Sequence, residues 1–154
     1  MNGITISQVR ERVEWFSNRY SVNFSESGIY SLFPQEGEYG WPAPWCNGSS
    51  PGVYILLNSN EEVIYIGEAV TIGKRLGDYF RYDENNNNDC MIKDVSKKDS
   101  KYVVSFALTK EEQYMRYSLE QFLIGELNPP LNKYGKTHSG QGTGYEVNPQ
   151  SWTG

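Results

Sequence analysis

One stretch of the chain, residues Pro51–Phe80, limits the fold more than any other. It reads PGVYILLNSNEEVIYIGEAVTIGKRLGDYF. Val53–Leu57 and Val63–Ile66 are short runs of β-branched, aliphatic and aromatic residues, and Asn58–Glu62 between them has the composition of a turn. The pattern predicts a β-hairpin.

The hairpin and the segment after it bring several polar side chains to one surface. If the turn is centred on its second and third residues, Tyr54 faces Tyr65 directly across the ladder. After Gly67 the apolar residues recur at helical spacing, and Arg75 and Tyr79 lie side by side along the edge of that apolar stripe. We therefore expect three phenols and a guanidinium to converge on one patch.

The spacing of these residues carries a second signal. Gly52-Val53-Tyr54 is followed after ten residues by Tyr65-Ile66-Gly67, and Arg75 stands ten positions after the second tyrosine. Glu120 lies on a later predicted helix, and Asn132 follows it by twelve positions in the sequence NPPLN. The order and spacing of these five positions resemble those of the GIY-YIG nuclease superfamily.

The resemblance implies an α+β fold with a small, mainly antiparallel three-stranded sheet flanked by helices, here with an N-terminal helical extension. A length of 154 residues suits one such domain. We expect the nuclease-like core at 51–133, a helix and a loop rich in Trp, Pro and Gly packed on it at 1–50, and a Gly-rich tail at 134–154.

Local patterns predict the remaining elements. Thr5–Gln8 has the form of a capping box and is followed by apolar residues at helical spacing, which predicts a first helix. Lys101–Leu108 alternates as a third strand, and Thr109–Glu112 is a second capping box that opens the helix bearing Glu120. A short helix is predicted over Met91–Lys97.

The resemblance also implies a chemistry, that of a divalent-metal-dependent endonuclease acting on DNA. Glu120 would hold Mg²⁺ or Mn²⁺, because a hard cation that keeps several waters needs only one protein carboxylate. Arg75 would stabilise charge on the phosphoryl oxygens. Tyr54 would be the base, or the relay, that activates the attacking water, and Tyr65 and Tyr79 would orient the water or the scissile phosphate.

Other residues are candidates for contact with the substrate. Lys74 is the cation beside Arg75, and Asn132 would hydrogen-bond to hold a loop or a substrate phosphate. Trp41 and Trp45 would either stack on a nucleotide or pin a long loop by burial of their rings. Glu68 stands where many family members carry Lys or Gln, and its carboxylate would either repel phosphate or serve as a second metal ligand.

Four of the catalytic candidates have a structural alternative. Glu120 would form a surface ion pair with Arg116, four residues earlier, and Arg75 would be a solvated helix residue. Tyr65 and Tyr79 would be packed amphipathic side chains.

The charge opposes attraction to a polyanion. The net charge is -5 and the pI is near 4.9, whereas neutralisation of phosphates by Lys and Arg supplies much of the affinity for nucleic acid. Two alternatives to a DNA endonuclease therefore stay open. One is a non-catalytic acidic interaction or regulatory module on the same fold, and the other is a metal-dependent hydrolase of a small phosphoester.

The remaining composition bears on compartment and partners. No apolar run reaches the length of a membrane span, and the N-terminus lacks the apolar segment of a signal peptide. Cys46 and Cys90 are far apart and outside any CxxC pattern, as is typical of reduced thiols. We expect a soluble cytoplasmic protein with DNA as its partner and no membrane association, and the resemblance allows a homodimer.

Overall fold

The computed structural model describes residues 3–32, 47–83, 89–92 and 94–132. Its helices and strands follow the predicted order, with several short elements added. Three α-helices are present in the described residues: α1 (Ile6–Tyr20), α2 (Ile72–Tyr79) and α3 (Arg116–Leu127). The strands are β1 (Ser25–Glu26), β2 (Tyr30–Ser31), β3 (Gly52–Leu57), β4 (Val63–Ala69), β5 (Phe80–Asp83), β6 (Asp89–Ile92) and β7 (Tyr102–Ala107). No described helix is long and apolar enough to cross a membrane.

The main sheet is antiparallel, as predicted. Its strand order is β1-β7-β3-β4, and β2 also pairs with β7. The three long strands β3, β4 and β7 are those that the sequence pattern indicates, and β4 forms one edge. The two-residue strands β1 and β2 come from a segment without lasting periodicity, and the sequence did not predict them.

A three-residue loop, 59–61, closes the hairpin between β3 and β4, because Asn58 and Glu62 on either side of it are hydrogen-bonded to each other. The Asn58 N–H donates to the Glu62 carbonyl, and the Asn58 side-chain oxygen accepts the N–H groups of Asn60 and Glu62 at 2.9 Å each. Glu61 adopts the left-handed conformation, with φ 60°. A turn followed by one left-handed residue is a common three-residue hairpin connection.

The register of the hairpin differs from the prediction. Tyr54 pairs with Gly67, and Leu56 pairs with Tyr65, so the predicted direct pairing of Tyr54 with Tyr65 is wrong by two positions. The longer loop and an irregularity between Leu56 and Leu57 account for the shift. Because side chains alternate with a period of two, Tyr54 and Tyr65 still share a face as diagonal neighbours.

Helices cover both faces of the sheet. The first face packs against α1 and α3 and includes Val53, Ile55 and Leu57 of β3. The second face packs against α2 and includes Tyr54 and Leu56 of the same strand. Burial on both faces explains why all six residues of β3 are buried.

The predicted capping box at the start of α1 is confirmed. Thr5 Oγ1 accepts the Gln8 N–H at 3.2 Å, and Gln8 Oε1 accepts the Thr5 N–H at 2.9 Å.

The second predicted capping box does not open a helix directly. Thr109 Oγ1 accepts the Glu112 N–H at 3.2 Å, but the Glu112 carboxylate accepts the Asn23 N–H at 3.4 Å. The chain then continues through a turn and a 3-10 helix at Gln113–Met115, and α3 begins only at Arg116. A tertiary contact with the segment after α1 therefore competes with the local cap.

The predicted short helix over Met91–Lys97 is largely wrong. Met91 and Ile92 belong to β6, which pairs antiparallel with β5 across the Asn-rich tract. Only Val95–Lys97 is helical, as a single 3-10 turn.

Candidate active site

Three tyrosines from three elements meet on the second face of the sheet and are called here the tyrosine cluster. They are Tyr54 of β3, Tyr65 of β4 and Tyr79 of α2. The ring centroids lie 6.2 Å apart for Tyr54–Tyr65 and for Tyr54–Tyr79, and 6.4 Å apart for Tyr65–Tyr79. The hydroxyls of Tyr54 and Tyr79 are 2.8 Å apart, a hydrogen bond in which either is the donor. The sequence predicted this convergence.

Gly67 makes room for the cluster. It lies opposite Tyr54 in the ladder, and a Cβ placed on it would overlap the hydroxyl and ring carbons of Tyr54. A side chain at this position would therefore push the Tyr54 phenol away from Tyr79. The glycine of the second tripeptide is needed for this close approach.

Burial keeps two of the phenols protonated. Tyr54 has no exposed surface, and burial raises its pKa well above the ordinary value, with further increases from the neighbouring Tyr65 and Tyr79. Burial also raises the pKa of Tyr65. The positive charge of Arg75 acts in the opposite direction on the pKa of Tyr54. Both phenols are therefore neutral at neutral pH unless a further cation approaches.

Arg75 lies beside the tyrosine cluster, one helical turn before Tyr79 on α2. Its Nη1 donates to the Glu68 backbone carbonyl at 3.3 Å, and its guanidinium interacts electrostatically with the Tyr54 and Tyr79 hydroxyls. Lys74 precedes it and is exposed. The helix thus places the guanidinium of Arg75 next to the hydroxyl pair.

Glu120 approaches the same region from α3. Its side chain is half-buried, and Gln121 Nε2 donates to its Oε1 at 2.9 Å. Burial raises the pKa of Glu120 to about 7 and the negative charge of Glu68 adds to the increase, whereas the Gln121 hydrogen bond and Arg75 act against it. The carboxyl is also close enough to Tyr65 to raise the pKa of that phenol.

The ion pair with Arg116 that was the structural alternative for Glu120 is replaced by another. Arg116 Nε donates instead to Glu68 Oε1 at 2.7 Å, and both side chains are about one quarter exposed. The guanidinium therefore offsets the charge of Glu68. Sequence spacing did not indicate this contact, because it joins β4 to α3 across 48 positions.

Asn132 holds the edge strand. Its Oδ1 accepts the Ile66 N–H and its Nδ2 donates to the Ile66 carbonyl, both at 2.9 Å, and the residue is buried. Of the two roles expected for Asn132, these hydrogen bonds correspond to the one that holds backbone, and they occupy the amide oxygen and nitrogen that a substrate phosphate would otherwise meet.

Lys97 is a member of the site that sequence reasoning missed. Its Nζ lies 4.3 Å from the ring centroid of Tyr65 and 4.6 Å from that of Tyr79. In the sequence it is one of several lysines between residues 93 and 101, and no motif sets it apart. Trp41 and Trp45, the predicted stacking residues, lie outside the described residues, as does the tail at 134–154.

The carboxylates present suit a hard cation. No group of three or more His, Cys, Asp or Glu side chains that could hold a metal occurs among the described residues. Glu120 is a half-buried carboxyl that accepts its hydrogen bond from the neutral Gln121 side chain, with Glu68 nearby. Magnesium accepts this kind of site, because it binds through one or two carboxylates and completes its shell with water and phosphate oxygens.

The antiparallel sheet, its flanking helices and the two tripeptides on one hairpin are those of a GIY-YIG nuclease domain. Residues 50–133 match the family model of the UvrC-like GIY-YIG domain. The match covers more than half of the chain, and the chain belongs to this family.

Curated relatives match the same region. UvrABC system protein C of Clostridium acetobutylicum is 40% identical over 84 residues, which are 53% of this chain and 12% of that protein. UvrABC system protein C of Methanothermobacter thermautotrophicus is 32% identical over 81 residues, or 53% of this chain and 13% of that protein. The chain thus spans about an eighth of the length of these relatives.

A solved structure is also similar. It is the GIY-YIG N-terminal endonuclease domain of UvrC from Thermotoga maritima bound to its catalytic divalent cation, magnesium. The TM-score is 0.42 at 23% identity, and the match covers 56% of this chain and 86% of that one.

Proposed function

We propose that this chain is a divalent-metal-dependent endonuclease that hydrolyses DNA phosphodiester bonds, in restriction, repair, mobile-element or defence processes. One observation carries the proposal: the three tyrosine rings pack together with two of their hydroxyls hydrogen-bonded, Arg75 is held beside them by the Glu68 carbonyl of β4, and the half-buried Glu120 carboxyl acts on the pKa of Tyr65. These are a proton-transfer pair, a fixed cation and an anionic ligand, which phosphodiester hydrolysis requires together.

The tyrosines would move the proton. Tyr54 has no surface in contact with solvent, so it would act through its 2.8 Å hydrogen bond to Tyr79. Tyr54 would first lose its own proton to solvent by way of Tyr79, a loss that the positive charge of Arg75 favours. The half-buried Tyr79 would then receive the proton of the attacking water and pass its own to the Tyr54 phenolate, so that the hydroxyl pair is a relay that ends with both phenols neutral. Tyr65 would orient the water from the side of Glu120.

Arg75 would stabilise the phosphoryl oxygens. Its guanidinium is always charged and presents several donors in one plane, and here it is exposed while remaining tied to the Glu68 carbonyl. Lys74 would contact a neighbouring phosphate. Removal of Arg75 should therefore reduce cleavage more than removal of Lys74.

Glu120 would hold Mg²⁺ or Mn²⁺. When bound, such an ion supplies Lewis-acid stabilisation of the phosphate and of the leaving oxygen. A carboxyl with a pKa of about 7 is ready to lose its proton when a cation approaches, whereas a well-paired carboxylate would have to give up its partner.

The non-catalytic acidic module remains the second candidate. The net charge of -5 and the presence of Glu68 at the site favour it. The homodimer allowed by the resemblance also stays a prediction.

Cleavage of supercoiled plasmid in Mg²⁺ or Mn²⁺ tests the proposal, with Arg75→Ala and Glu120→Gln as active-site variants. Their matched controls are Arg19→Ala on α1 and the exposed Glu126→Gln on α3. We expect the parent and both controls to cleave, and both active-site variants to lose at least about a hundredfold in rate. A folded parent that does not cut, or active-site variants that cut like their controls, would exclude the endonuclease and leave the acidic module.

A further inference from the structure

We infer that Lys97 is a positioning residue of this site, which fixes the rings of Tyr65 and Tyr79 and places a positive charge behind the tyrosine cluster. The inference rests on the proposed function. It concerns a residue that the tripeptides and the family spacing do not include.

The contact with the two rings is close and shared. One ammonium lies 4.3 Å from the Tyr65 centroid and 4.6 Å from the Tyr79 centroid, and the two rings are nearly perpendicular, at 88°. Both distances are within the range of cation–π attraction, which strengthens when the cation is removed from water. Lys97 therefore couples a ring of β4 to a ring of α2.

The ammonium itself is held in place. Its side chain is 10% exposed, and Nζ is 3.1 Å from Asp94 Oδ2 and 3.3 Å from Ser96 Oγ. Asp94 also caps the 3-10 helix, because its Oδ1 accepts the Ser96 N–H at 3.1 Å. A buried lysine requires this kind of pairing to remain charged.

Burial also separates Lys97 from a role in DNA binding. A residue that is 8% exposed and lies against ring faces does not present its charge to a phosphate backbone. Its neighbour Lys98 carries the same charge on the exposed surface, which makes Lys98 the natural control.

The charged groups around the rings determine how strongly Lys97 stabilises negative charge on the tyrosine cluster. Arg75 approaches the cluster from α2, Glu120 from α3, and Asp94 partly offsets Lys97 from its own 3-10 helix. In the proposed relay, the Tyr54–Tyr79 hydroxyl pair is negatively charged after Tyr54 has lost its own proton to solvent and before the pair takes up the proton of the attacking water. A fixed cation behind the rings lowers the free energy of that state without touching substrate.

Steady-state cleavage of a DNA duplex in Mg²⁺ by the parent, Lys97→Met, Lys97→Arg and Lys98→Met tests the inference. Methionine keeps the length and the apolar packing but removes the charge. We expect kcat of Lys97→Met to fall about tenfold with KM within twofold of the parent. Lys97→Arg should recover part of kcat, and Lys98→Met should keep the parent kcat. If Lys97→Met does not fold, Lys97→Gln replaces it with the same expectation.

Two kinetic results would overturn the inference: a Lys97→Met kcat equal to the parent value, or a loss confined to KM, which would make Lys97 a phosphate contact. A parent without cleavage would instead refute the proposed function. In that case NMR spectra of ¹³C-tyrosine-labelled protein test the contact between Lys97 and the two rings. Lys97→Met should shift the ring signals of Tyr65 and Tyr79 and leave the ring signal of the exposed Tyr114 in place. Unchanged signals for Tyr65 and Tyr79 would overturn the inference.

Discussion

At the scale of single residues, the neighbours of Glu120 set the properties of its carboxyl. Its carboxyl has Gln121 as a hydrogen-bond donor, while the guanidinium of Arg116 pairs with Glu68 instead. Glu68 thus loses much of its repulsion toward phosphate, and Glu120 keeps a buried carboxyl that a cation would stabilise. The distribution of three charged groups leaves the carboxyl on α3 as the better ligand.

The raised pKa of Glu120 predicts a pH-dependent stability in the absence of metal. The pKa of Glu120 in the folded protein, about 7, exceeds the ordinary value of 4.5. The contribution of this carboxyl to stability is therefore complete below pH 4.5 and is lost as the pH rises toward 7. The loss amounts to at most roughly 3 kcal/mol. The side chain of the Glu120→Gln variant cannot ionise, so this pH-dependent loss of stability should be absent from the variant.

Urea denaturation in EDTA at several pH values between 4.5 and 8 measures the free energy of unfolding of the parent and of Glu120→Gln. The difference in free energy of unfolding between parent and Glu120→Gln should change across pH 4.5–7 and then stay constant. A difference that does not vary with pH would contradict the assignment of the raised pKa to Glu120.

Among the elements, the β3–β4 hairpin sets the geometry of the tyrosine cluster. Its three-residue loop and irregular register place Gly67 opposite Tyr54, so that the buried phenol crosses the neighbouring strand and reaches Tyr79. The α2 helix then presents Arg75 and Tyr79 one turn apart. A small change in the hairpin is therefore transmitted to the hydroxyl pair.

Gly67→Ala should disrupt this arrangement. The new Cβ would overlap the Tyr54 phenol, and displacement of a catalytic group by about 1 Å can cost on the order of a hundredfold in rate. We expect that loss in kcat. Gly77→Ala on α2, where a Cβ meets no atom within 4 Å, is the control and should cleave at the parent rate. Full activity of Gly67→Ala would show that the Tyr54–Tyr79 hydrogen bond is not needed.

Asn132 makes a second element-level contribution, since it ties the 3-10 helix Pro130–Asn132 to β4. Asn132→Ala would remove two hydrogen bonds to Ile66 and should lower the free energy of unfolding by roughly 1–3 kcal/mol. Urea unfolding compares it with Asn18→Ala on the exposed surface of α1, expected within about 0.5 kcal/mol of the parent. Equal stabilities of the two variants would contradict the role of Asn132.

For the molecule as a whole, the net charge of -5 limits attraction to DNA. In the described part of the site, two cations are paired with acids, Arg116 with Glu68 and Lys97 with Asp94. Arg75 is exposed beside the tyrosine cluster, and Lys74, the residue before it on α2, is also exposed. Affinity should therefore come from few phosphate contacts and from the bound metal.

The salt dependence of DNA binding tests this expectation. With two or three phosphates neutralised, the slope of log affinity against log salt should be about -2 to -3, and Lys74→Gln should reduce its magnitude by about one. Fluorescence anisotropy with a labelled duplex gives both values. A slope steeper than about -6 would mean that a larger basic surface takes part.

Much of the fold could be predicted from local pattern. The hairpin, α2, the third long strand and the cap of α1 each follow from a few neighbouring residues. The hairpin register failed by two positions because side-chain bonds of Asn58 lengthen the loop, and the start of α3 moved because Glu112 bonds to Asn23. Strands β1 and β2 depend on pairing with β7, which no local pattern contains.

The candidate site shows the same division. The spacing of residues predicted that Tyr54, Tyr65, Tyr79 and Arg75 converge, because one hairpin and the helix after it carry all four. Lys97 and the Arg116–Glu68 pair were missed, since each depends on contacts between distant parts of the chain.

The two hydrogen bonds between the Asn132 side chain and the Ile66 backbone have a further consequence for β4. An edge strand with free backbone groups is a template on which another chain can add a strand, and proteins avoid this by covering such edges. Here a single amide side chain occupies both groups of Ile66. A fragment that stops before residue 132 would leave them open and should self-associate through intermolecular strand pairing.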